Sequence, residues 1–185
     1  MLPLKLENLD FRFENSRVKV IANRNYPEMK LGGLNVGPFQ QGNEYDVYYW
    51  IAAELAQAGI AHFREEDNLD ATKLYKVQWK ERVQVAGQIS ELPEDFYPKL
   101  RRYLAQLKTD FGKNPQKIQE YQKAKSLAED IVASRLKKIV TLSAGPIQGE
   151  QILGKLTNEE KLIYMQLGKI ISNWRNGILQ HESGE

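Results

Sequence analysis

The side chains able to do chemistry are few and scattered. The histidines are His62 and His181, far apart and without a His-Glu-x-x-His or comparable ligand spacing. There is no cysteine, which removes thiolate metal sites, disulfides and a Cys nucleophile, and no Gly-x-Ser-x-Gly elbow offers a serine one. The acidic pairs Glu65-Glu66, Glu94-Asp95 and Glu129-Asp130 are adjacent in sequence. Neighbours of that kind diverge on a helix and suit a solvated face or a dipole end better than an acid–base pair. The expectation is no catalytic residue, no metal site and no cofactor.

The glycine-rich stretch Leu31-Gly32-Gly33-Leu34-Asn35-Val36-Gly37-Pro38-Phe39 lacks the Gly-Lys-Ser/Thr ending of a phosphate loop and the Gly-x-Gly-x-x-Gly spacing of a dinucleotide fold. Gly32, Gly33, Gly37, Pro38, Phe39 and Gly42 read instead as a structural turn framework. Tyr48-Tyr49-Trp50 points in different directions on a helix and reads as packing rather than base stacking. Basic residues gather at Lys99, Arg101, Arg102 and Lys108, and again at Arg135, Lys137 and Lys138. On two neighbouring helices they form a weak candidate for phosphate contact through Arg101, Arg102, Arg135, Lys137 and Lys138. The alternative is a solvated helix face. A net charge of +2 does not favour strong nucleic-acid binding.

The elements that must position these residues follow from periodicity. Arg17 to Ala22 alternates as a strand, residues 23–42 read as short strands and turns, and Ile60 to Phe63 as a returning strand. Val47, Trp50, Ile51, Leu55 and Ala58 have helical spacing, with Asp46 as N-cap and Gly59 as stop. Helices are expected from Leu69 to about 85, from Pro93 to near Gly112, from Pro115 to Leu142, and from a Thr157/Glu160 capping box through Leu179. The fold class is therefore α+β: a small β-rich N-terminal domain with one helix, residues 1–66, then a larger all-α helical bundle domain, residues 67–185. The start of the chain lacks the long apolar core of a signal peptide, and no stretch approaches a membrane span.

The last helix is apolar on more than one face, with Leu167, Ile170, Ile171, Trp174 and Ile178 among its apolar residues. Such a helix is either central in its own bundle or covered by another chain. These residues are the candidate core or subunit interface.

Residues Lys30 to Gly42 resemble the Gly-Gly-x-x-Gly-Pro-Phe-x-x-Gly stretch of the GINS replication-factor family, in its Psf-two or Psf-three type. Val47 to Leu55, Asp70 to Leu74, Leu92 to Tyr97 and Leu156 to Leu179, with Trp174-Arg175, continue the likeness. The resemblance implies a non-catalytic scaffold in DNA replication. Its implied partners are a second GINS subunit type in a heterotetramer, the MCM helicase and a RecJ-like protein; weak DNA contact is a separate expectation, resting on the basic helix residues above. The compact length is similar to archaeal members, which implies a cytoplasmic location at replication forks, or a nuclear one if the source is eukaryotic.

Overall fold

The computed structural model describes residues 6–83, 88–113, 117–146 and 149–179. His181, Pro115 and the expected end of the helix near 85 lie outside the described residues. The chain divides into two compact units, one through Leu69 and one from Asp70 onward.

The first unit opens with α1 (Leu6–Glu14), followed by β1 (Arg17–Ala22), β2 (Met29–Leu31), β3 (Leu34–Val36), β4 (Glu44–Tyr48), α2 (Tyr49–Gln57) and β5 (Ala61–Phe63). β1 is the middle strand of an antiparallel sheet in the order β4-β1-β5. Its alternation places Val20 and Ala22 in a core with Val47, Ile51, Ala52, Leu55, Ile60 and Ala61. α1 is tied in by Phe13, whose ring lies 4.5 Å from that of Tyr49.

β2 and β3 form a hairpin closed by Gly32 and Gly33, both at positive φ (56° and 81°). A two-residue turn with positive φ at both positions matches the twist of the strands it joins, and side chains there are strained. Gly32 has a second constraint. A Cβ built on it would sit 2.9 Å from the Trp50 ring. The glycines thus serve backbone geometry, and Phe39 is buried in the core of this unit, paired through its backbone with Tyr26.

The helix expected to begin after Asp46 begins later. Asp46 and Val47 belong to β4, facing Lys19 and Val18 across the sheet, and Tyr48 takes the N-cap position with no side-chain cap bond. Pairing with β1 overrides the helical phase of Val47. Gly59, at φ 66°, does follow the helix end.

The second unit contains α3 (Ala71–Val83), α4 (Phe96–Lys113), α5 (Ile118–Ala144), the single turn α6 (Glu150–Leu153) and α7 (Asn158–Leu179). α4 starts three residues after Pro93, whose carbonyl instead accepts a turn bond from the Phe96 N–H at 3.0 Å. At 27 residues, α5 is about 40 Å long and packs against α3, α4 and α7. Its inner face is lined by Ala124, Ala128, Ile131, Ile139 and Leu142. α3 and α5 run in the same direction, because Gln78 bonds Asp130 while Glu81 bonds Arg135 and Lys138.

Candidate subunit interface

α7 begins inside its own bundle. Ile163 and Leu167 pack against Ile89, Ile139, Leu142 and Leu156. Ile170, Trp174 and Ile178 follow at spacings of three and four residues, so they continue the same helix face. Yet they are exposed, Trp174 at 67%. The reason is length rather than phase. α5 ends at Ala144, whose carbonyl accepts a 3.0 Å bond from Arg175, and no described helix covers α7 farther out. Ile171 is half-buried on the flank. A second apolar ridge, Val132, Leu136 and Val140, is exposed on α5. It adjoins Ile139 and Ser143, which contact α7.

Arg135 holds the root of α7 in place and is fully buried. Its guanidinium donates to Glu81 on α3 at 2.7 Å, to the Ser90 carbonyl at 2.8 Å, and through two nitrogens to the Glu160 carboxylate. Lys138, one turn on, donates to the other oxygen of Glu81 at 2.6 Å and to the Glu81 carbonyl at 2.9 Å. Tyr97 of α4 donates to Glu160 at 2.7 Å. Glu160 also closes the capping box: it accepts from the Thr157 N–H at 3.0 Å, while the Thr157 hydroxyl accepts from the Glu160 N–H at 3.4 Å. Two cations and two carboxylates cancel, and each has several partners, the condition under which buried charge is tolerable.

The network has a pH signature. Burial alone would raise the Glu81 carboxyl, but hydrogen bonds from Lys138 and Ser90 and the charges of Arg135 and Lys138 outweigh it, leaving it below its ordinary 4.5. A depressed acid adds stability that is complete above the unfolded value and is lost as pH falls through the folded one. Urea unfolding of the helical unit, followed by helical circular dichroism, should therefore weaken below about pH 4.5, where unfolded carboxylates take up protons. Glu81→Gln should blunt that acid dependence. Burial and the Glu160 charge push the Tyr97 hydroxyl upward, so it stays a donor throughout.

These positions correct part of the sequence expectation. Arg135 and Lys138 are not available to phosphate, because both are buried and committed to Glu81 and Glu160. Lys137 and Arg101 are exposed, and Arg102 is part-buried, donating to the Pro98 carbonyl at 3.2 Å. The structure does not gather the five into one surface. Glu81, Ser90, Tyr97 and Glu160 went unread as a network. A signal was present: Arg135 lies in phase with Ile131, Ile139 and Leu142, as Glu81 does with Leu74. His62 is a surface residue whose Nδ1 pairs with the Asn23 side chain. Among the described residues, no cluster of His, Asp or Glu could hold a metal ion.

No helix of the described residues is long and apolar enough to cross a membrane. The model of the GINS complex protein helical bundle domain matches residues 50–179, and that of the PSF2 N-terminal domain matches residues 5–63. The DNA replication complex GINS protein PSF2 of Homo sapiens is 23% identical over 150 residues, covering 81% of this chain and 77% of the human protein. Its Xenopus laevis counterpart matches with the same identity and coverage. A hairpin with two glycines, a helical bundle around a buried charge network and two successive family matches lead to one conclusion: the chain belongs to the GINS family, as a subunit of the PSF2 type.

Proposed function

We propose that the chain is a non-catalytic scaffold subunit of a DNA replication complex, joined to a second GINS subunit type through the outer half of α7. The observation that carries this reading is the apolar face of α7, partly buried against the core as far as Leu167 and then presented bare through Ile170, Trp174 and Ile178. An exposed stripe of that kind on a charged, water-compatible chain marks a protein contact. The α5 ridge of Val132, Leu136 and Val140 extends the same contact. In the assembled heterotetramer the subunit would support the MCM helicase beside a RecJ-like partner. The curated relatives are named as parts of such a replication complex, which supports the setting.

Light scattering on the purified chain, alone and co-expressed with a second GINS subunit type, tests the reading. The expected result is self-association or poor solubility alone and a discrete hetero-oligomer together. A stable monomer that ignores the second subunit would overturn it.

A further inference from the structure

The outer face of α3 has no part in the contact above. Its inner side, Leu74, Gln78 and Glu81, packs toward α5. Tyr75, Trp79 and Val83 lie four residues apart on the opposite side, and both rings are 57% exposed. A lysine follows each ring, Lys76 after Tyr75 and Lys80 after Trp79, and Arg82 flanks the row. All three cations are exposed and form no ion pair among the described residues. The sole acid of α3, Glu81, is buried and neutralised by Arg135 and Lys138. Every exposed charge on this helix is therefore positive.

The repeat is one ring and one cation per four residues, a rise of about 6 Å. A duplex strand repeats at about 3.4 Å, so the spacing suits bases splayed from an extended strand. Stacking on aromatic faces with cations on the backbone is the way single strands are held without sequence preference. Protein interfaces, by contrast, are poor in lysine. The α7 stripe is built differently, with the aliphatic Ile170, Ile171 and Ile178 around its single ring, Trp174.

We propose that the outer face of α3 binds single-stranded DNA, with Tyr75 and Trp79 each stacking a base and Lys76, Lys80 and Arg82 meeting phosphates. The contact is non-specific, since rings and ammonium groups accept any base.

Fluorescence anisotropy of a labelled oligothymidylate of about 20 nucleotides, long enough to exceed a typical single-strand site, tests this on the full chain, alone and with its second subunit. The single strand should bind more tightly than a duplex of equal length. Three phosphate contacts predict a slope of log affinity on log salt of about −2. Trp79→Ala should weaken binding about tenfold and Trp79→Phe much less. Lys76→Ala with Lys80→Ala should flatten the salt slope by about 1.4. Trp174→Ala should leave DNA binding intact, which separates this face from the assembly face. Absence of saturable binding, equal duplex affinity, or indifference to Trp79→Ala would overturn the proposal. So would loss of a protein partner on Trp79→Ala with oligonucleotide binding unchanged, since the face would then be a protein contact.

Discussion

Arg135→Met is expected to remove a large part of the stability of the helical unit. The substitution keeps the length of the stem but strips the fork that serves Glu81 on α3, Ser90 ahead of α4 and Glu160 at the start of α7. Breaking a buried ion pair by deleting one partner costs about 3–5 kcal/mol, because the other charge stays buried without compensation. A domain commonly has about 5–15 kcal/mol in total. Glu81 retains Lys138, so the larger injury falls on Glu160, whose remaining partners are Tyr97 and the Thr157 amide. Urea unfolding should show a much lower midpoint for the helical signal. Adding Glu160→Gln to Arg135→Met should recover part of the loss, since it neutralises the carboxylate left without its cation, while Glu81 keeps Lys138. An unfolding free energy within about 1 kcal/mol of the parent would show that the network is not what fixes α7.

Trp174→Ala should leave the isolated chain nearly as stable as before and disrupt its assembly. Truncating an exposed side chain creates no cavity, so the cost of about 3–5 kcal/mol for a buried tryptophan does not apply. At the centre of a subunit contact the same change commonly costs about 2–4 kcal/mol, or roughly 30- to 1000-fold in affinity. Dissociation of the co-expressed complex, followed by light scattering across a dilution series, measures it. Ile170→Asp should act in the same direction, through a charge placed in the apolar stripe. A lowered melting temperature in the isolated chain, with assembly unchanged, would mean that Trp174 packs internally and that the face of α7 is closed.

The two variants divide what the amino-acid order reveals from what it hides. The phase of α7 was legible, because Leu167, Ile170, Trp174 and Ile178 repeat at helical intervals. Whether they are covered was not, since that depends on where α5 stops. β1 and the glycine hairpin were legible too, through alternation at residues 17–22 and paired glycines at 32–33. β4 was lost to α2 because Val47 fits both the strand and the helix that follows, and only pairing with β1 decides between them. α1 and α6 carry weak local patterns and went unread. Arg135 and Lys138 were misassigned to the surface for a physical reason: arginine and lysine are seldom buried unless paired. Their partners, Glu81 and Glu160, come from elements 54 and 25 residues away from Arg135.

The bare outer half of α7 also bears on the cell's accounting of this subunit. In the proposed assembly a copy within its complex would hide Ile170, Trp174 and Ile178, whereas the single chain displays them. On that reading the same few side chains would report whether a given molecule has joined its complex. Surplus copies would then be distinguishable from assembled ones by this face.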